Sequence, residues 1–389
     1  MSRAAPLVSR ALALYFLSAF GSMTSFYLLL SVVPLYATAA GAGHVGAGLT
    51  TGALMLATVA AELATPALLA RFGYRLVLGA GLLLLGAPAL ALIAFSSLAA
   101  ILAVSLVRGV GLAITVVAGS SLVATLVPAE RRSEGLGLLG VVVGVPAVLA
   151  LPLGVWLVEQ AGFAPVFVAG AVAALVCLAV MPALPGRIAG TAEPMGVLVG
   201  LRSRKQLRPA MVFLLTAVGT GIVVTFLPLA TRASGRLAAA ALFANTVATT
   251  LARWGAGRYG ARHGQAGLLV GGVVAAALGM FALAFTPTPV PVIVGAVLLG
   301  LGFGVAQNAS LTLMFDRVSA SGYDMVSAVW NLAYDAGMGL GAAGFGVLAV
   351  RAGYAGAFAV VAGLMLVALA PVWRHRGWLL AADGAVPRM

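Results

Sequence analysis

Long apolar runs, recurring along the whole chain, limit its fold more than any other feature. About 20 apolar residues, rising ~1.5 Å each as a helix, span the ~30 Å hydrocarbon layer of a bilayer. Runs of this kind lie at residues 11–36, 46–69, 76–97, 99–126, 135–158, 163–184, 209–231, 237–257, 266–286, 290–314, 325–349 and 354–373. They are continuous, whereas the strands of a membrane barrel alternate polar and apolar positions. With 62% apolar and 8% charged residues, the chain is far from a soluble domain and from a disordered one. The expected fold is an all-α integral membrane protein with twelve transmembrane helices.

Charge and cysteine content narrow the function. The net charge is +13, and all 22 cations except Lys205 are arginine. They are scattered between apolar runs and form no basic stripe interleaved with aromatics, so topology, not nucleic acid, explains them. Cys177 is alone, and His44, His263 and His375 are far apart, which leaves neither a metal-ligand set nor a nucleophile–base pair. There is no Walker lysine motif. No enzyme chemistry and no cofactor is expected. Ala37-Thr38-Ala39 resembles a signal-cleavage site, but the run before it is too long for a signal segment and has a counterpart later in the chain.

The loops carry the orientation signal. Seventeen cations fall on one side: Arg3, Arg10, Arg71, Arg75, Arg131, Arg132, five between 187 and 208, Arg258, Arg262, Arg317, Arg374, Arg376 and Arg388. Three fall on the other: Arg232, Arg236 and Arg351. The positive-inside rule then puts both termini and the middle loop in the cytoplasm of a multi-pass cell-membrane protein.

An offset of 191 residues superposes several landmarks: Arg71-Phe72-Gly73 on Arg262-His263-Gly264, Gly109 and Gly111 on Gly300 and Gly302, and Ala161-Gly162-Phe163 on Ala352-Gly353-Tyr354. Pro34-Leu35 finds Pro228-Leu229 at an offset of 194. A 6+6 duplication is expected, with an N-terminal half at 1–185, a linker at 186–208 and a C-terminal half at 209–389. Two such halves create a mid-membrane interface suited to a small-molecule substrate. They need no second copy of the chain, so a monomer is expected.

These residues resemble the major facilitator superfamily. Its loop motif between the second and third spans is matched by Leu68, Arg71, Gly73 and Arg75, although Pro66 replaces the leading glycine and Ala70 the acid. The second half repeats the loop from Gly257 to Gly264, with Ala261 at the acid position. Arg108-Gly109-Val110-Gly111 is similar to the family's fourth span. Gly140, Gly144, Pro146, Pro152 and Gly154 look like a degenerate antiporter motif in the fifth. The stretch Asn331 to Gly341 looks like the twelve-span drug/proton antiporter group. The resemblance implies an alternating-access transporter, with Arg71, Gly73, Arg75, Arg262 and Gly264 in gating; Arg253 joins them as the counterpart of Glu62 under the 191 offset.

Charges inside apolar runs are costly and must face the protein interior or a cavity. Asp335 lies ten residues into its run, ~15 Å deep. Burial favours the neutral form of a carboxylic acid, so Asp335 is a candidate proton carrier. Glu62 is a second, at the position equivalent to Arg253 under the 191 offset. The family links the Arg108 position to proton coupling; the bland alternative is a helix-bracing bond to backbone carbonyls. Candidate substrate contacts are Tyr27, Phe26, Asn245, Gln307, Asn308, Trp330, Asn331 and Tyr334. Their sparse polarity favours an amphipathic or hydrophobic substrate, and the antiporter resemblance implies its expulsion against protons. An uptake symporter or facilitator is the runner-up, and a non-transporting receptor or scaffold the remote alternative.

Overall fold

The structure is a computed structural model that describes residues 9–127, 132–186, 197–231, 234–318 and 323–369. Every long element among them is helical. In chain order these are α1 (Arg10–Leu30), α2 (Val32–Ala39), α3 (Gly43–Phe72), α4 (Tyr74–Gly86), α5 (Pro88–Ala94), α6 (Leu98–Leu126), α7 (Arg132–Ala161) and α8 (Phe163–Leu175). A 3-10 stretch, Val176–Ala183, follows α8. The order continues with α9 (Val197–Arg202), α10 (Arg204–Ala230), α11 (Gly235–His263), α12 (Ala266–Ala282), α13 (Pro289–Phe315) and α14 (Tyr323–Val367).

Ten of the described helical stretches are long and apolar enough to cross a membrane. Two features separate this number from the twelve expected runs. The stretch α11, with Arg236, Arg253, Arg258 and Arg262, is helical but is not among the ten. The last two expected runs form one helical stretch, α14, broken at Gly353 by a non-helical backbone with φ 65° and ψ 177°.

Prolines set the local breaks. Pro34 has no N–H to offer the carbonyl of Leu30, and α1 ends there. Pro88 begins α5 at a position where its missing donor is tolerated. The α10 helix starts at Arg204, five residues before the expected run. Pro209 lies inside it and leaves the Lys205 carbonyl without its usual helical donor. Arg317 replaces that donor, with Nη1 2.7 Å from the Lys205 oxygen. The polar start of the helix thus survives its proline.

The chain divides into two compact units: residues Met1–Ala42 with Ala53–Ala192, and Gly43–Gly52 with Glu193–Met389. In the first unit, α1 packs on α7 and α8, and α4 on α6. In the second, α13 packs on α11 and α12, and α10 on α14. Lipid is as apolar as leucine, so close backbone approach through small residues contributes much of this association. The 191-residue offset recurs in that geometry. A Cβ on Gly109 would run into the carbonyl oxygen of Leu54, and one on Gly300 into that of Asn245, 191 residues on. A Cβ on Gly111 would strike Leu85 N and Gly81 O; one on Gly302 would strike the equivalent Ala276 N and Gly272 O. The left-handed turns repeat too, at Gly73 (φ 78°) and Gly264 (φ 87°), and at Gly162 (φ 79°) and Gly353 (φ 65°).

Candidate functional site

In the second unit, α10, α13 and α14 meet around four aromatic rings. Phe213 stacks on Trp330 with centroids 4.6 Å apart and planes 9° apart. Phe303 lies 5.8 Å from Phe213 at 14°, and Tyr334 lies 5.8 Å from Phe303 at 25°. Trp330 and Tyr334, one helical turn apart on α14, are 6.3 Å apart at 18°. All four rings are therefore close to parallel. Phe213 and Phe303 are buried, and Trp330 and Tyr334 are half-buried. The indole N–H of Trp330 donates to Ser310 Oγ at 3.0 Å. The Ser310 hydroxyl sits within 3.3 Å of the Gln307 carbonyl.

Asp335 follows Tyr334 directly and is only 6% exposed. Its helix is held against α10 by glycines. A Cβ on Gly337 would press on Ala217 and Leu214, and one on Gly341 on the Val218 carbonyl. This small-residue seam, with a four-residue period, lets two backbones come close and fixes the register that buries the carboxylate. Asn331 and Gln307 are half-buried on α14 and α13.

The other expected contacts in this unit divide. Asn245 is a brace: its Nδ2 donates to the Ala296 carbonyl at 2.8 Å, tying α11 to α13. Asn308 faces Gly257 of α11, and its Oδ1 is buried without a hydrogen-bond partner among the described residues. Arg253 is exposed on α11. The backbone of Gly264 caps α11, its N–H donating to the Gly260 carbonyl at 3.0 Å; the side chain of Arg262 lies outside the described residues.

In the first unit, Arg108 is 1% exposed. Its Nη1 donates to the Leu85 carbonyl at 2.9 Å and its Nη2 to the Ser25 carbonyl at 3.2 Å. One planar guanidinium therefore joins α6, α4 and α1. Its Nε and the neighbouring Ser25 Oγ are buried with no partner among the described residues. This is the carbonyl-bonding arrangement that stood as the alternative to proton coupling. Phe26 is buried beside half-buried Tyr27, their rings 4.8 Å apart. Glu62 is half-buried on α3, one turn after Thr58, whose hydroxyl donates to the Leu54 carbonyl at 2.9 Å and also reaches the Gly109 carbonyl at 3.2 Å.

The loop arginines behave differently from one another. Arg71 is exposed and lies over the Phe72 ring at 5.2 Å. Arg75 reaches the Leu184 carbonyl with Nε at 3.1 Å and Nη2 at 2.8 Å, closing the end of the 3-10 stretch after α8. Between them, Gly73 turns the chain and its N–H donates to the Leu69 carbonyl at 2.8 Å. Thus Arg75 caps a backbone carbonyl at the end of the 3-10 stretch.

Phe213, Phe303 and Ser310 did not stand out in the sequence. Phe303 precedes Gln307 by one turn, and that spacing was the available signal.

Among solved structures, the chain is similar in fold to a mutant of the nucleoside transporter NupG, at 13% identity over 96% of this chain and 99% of that one, with a TM-score of 0.76. It is also similar to a mutant of the peptide transporter POT bound to sulfate, at 16% identity over 94% and 96%, TM-score 0.74. A third is the human organic anion transporter MFSD10, at 17% identity over 92% and 97%, TM-score 0.62. No curated protein matches the chain. The family model described as Major Facilitator Superfamily matches residues 15–342, and again residues 209–377. The protein is a multi-pass membrane transporter, not an enzyme, and it belongs to the Major Facilitator Superfamily.

Proposed function

We propose that this protein is a proton-coupled exporter of small amphipathic or hydrophobic compounds, working by alternating access between two six-helix halves of twelve spans. The observation that carries the reading is a buried carboxylate, Asp335, directly after Tyr334, a member of the four-ring stack. Trp330 and Tyr334, the half-buried rings of the stack, are the ones a planar or cationic substrate would meet. The carboxylate offers a site whose proton and substrate occupancies compete. Glu62 is the second candidate acid, and Arg108 enters the scheme as a fixed buried charge that holds three helices. Trp330, Tyr334, Asn331 and Gln307 are the proposed substrate contacts, with Tyr27, Phe26 and Asn308, whose Oδ1 has no hydrogen-bond partner among the described residues. Gating falls to Arg71, Gly73, Arg75, Arg253, Arg262 and Gly264. The matching glycine contacts at the 191 offset support the 6+6 arrangement. The likeness to the drug/proton antiporter group rests on the span 5 and span 11 residues, and the arginine distribution supports cytoplasmic termini. Function as a monomer belongs to the same reading.

A second reading, proton-coupled uptake or facilitated entry of a small solute, draws support from the nucleoside and peptide transporters among the similar folds. Substrate-driven proton movement in proteoliposomes, with its direction, separates the two.

A further inference from the structure

The second unit gathers basic side chains at one end of α10 and α13. Arg202, Arg204, Lys205 and Arg208 fall within seven residues and are all exposed. Arg317, from a segment 112 residues later, joins them by its bond to the Lys205 carbonyl. Asp316 is the acid beside it. Both α10 and α13 are among the helices able to cross a membrane. Their ends, where these cations sit, therefore fall at the level of lipid headgroups.

A scattered excess of arginine is what membrane topology alone produces. This patch differs in how its charges are held. Arg317 is half-buried and fixed between two helix ends. Desolvation pushes its guanidinium below the ordinary value; Asp316 opposes that shift and nearby Arg208 adds to it. Arg208 and Arg317 thus crowd like charge beside Asp316, and a bound anion would relieve the crowding. Clusters of four to eight cations at the end of a membrane helix suit anionic headgroups.

We propose that Arg202, Arg204, Lys205, Arg208 and Arg317 form a binding site for the phosphate of an anionic phospholipid. The exposed cations contact the headgroup, and Arg317 fixes the two helix ends that present them.

The test is native mass spectrometry of the purified full-length protein titrated with phosphatidylglycerol or phosphatidylcholine. The wild type is expected to retain phosphatidylglycerol preferentially. Each cation removed should weaken retention about five-fold, and Arg204→Gln/Lys205→Gln/Arg208→Gln together by roughly a hundred-fold. Arg351→Gln, an exposed cation elsewhere in the unit, should bind as wild type does. Three results would overturn the proposal: unchanged lipid retention in the triple variant, an equal loss in Arg351→Gln, or full displacement of lipid by equimolar inorganic phosphate. If the triple variant fails to fold, Lys205→Gln and Arg208→Gln alone decide by the same criterion.

Discussion

The Trp330 indole N–H donates to Ser310 Oγ at 3.0 Å, tying α14 to α13 beside the ring stack. The bond fixes the rotation of the indole, and so the plane against which Phe213 lies. Substitutions here separate stacking from anchoring. Trp330→Ala should weaken binding of a planar aromatic substrate roughly three- to ten-fold, in line with the ~0.5–1.5 kcal/mol that an aromatic pair contributes. Trp330→Phe should recover most of that loss, and Ser310→Ala should have a smaller effect than Trp330→Ala. Substrate titration followed by tryptophan fluorescence, or by transport KM for Trp330 variants, measures this.

Proline 209 and Arg317 form a second relationship that can be cycled. Removing Arg317 leaves the Lys205 carbonyl without the donor that Pro209 cannot supply. Arg317→Gln should lower stability by about 1 kcal/mol. Pro209→Ala restores a backbone N–H, so in that background Arg317→Gln should cost clearly less. Thermal unfolding of the four proteins in detergent gives the coupling.

Arg108 should not tolerate lysine. A guanidinium bonds two carbonyls on different helices at once; an ammonium is a point donor on a flexible stem. Arg108→Lys should be destabilised by about 2 kcal/mol, read as a lower unfolding temperature, whatever happens to proton coupling.

Close packing at the repeated glycines predicts matched effects. Gly109→Ala and Gly300→Ala each drive a methyl into a carbonyl of the facing helix and should cost about 1–3 kcal/mol. Gly140→Ala meets nothing within 4 Å and should be neutral or mildly stabilising. Thermal stability of the three variants tests the contrast.

Much of this architecture was legible because membrane helices need length and continuous apolarity, and the sequence displays both. Gly73 and Gly264 could be picked out from their loop motif, but their left-handed backbone is seen only in the structure. The break of α1 was not, because it depends on one hydrogen bond lost at Pro34 within an uninterrupted apolar run. The start of α10 was missed for a related reason: the bond its polar first turns lose at Pro209 is replaced from Arg317, 112 residues away, which no local pattern records. At the site, Asp335, Trp330 and Tyr334 stood out as rare residue types in an apolar span. Phe213 and Phe303 did not, since a buried phenylalanine looks like ordinary core until its neighbours are known. Asn245 drew attention for its polarity, but that polarity is used on the Ala296 carbonyl.

The central claim is that a buried carboxylate couples protons to substrate. The most direct measurement is proton flux in proteoliposomes carrying purified protein when a lipophilic cation is added, with Asp335→Asn and Glu62→Gln alongside. Opposed movement of substrate and protons, abolished in Asp335→Asn while the variant still binds substrate, is the predicted result. Substrate crossing with no proton movement in the wild type, or undiminished coupling in both variants, would contradict it.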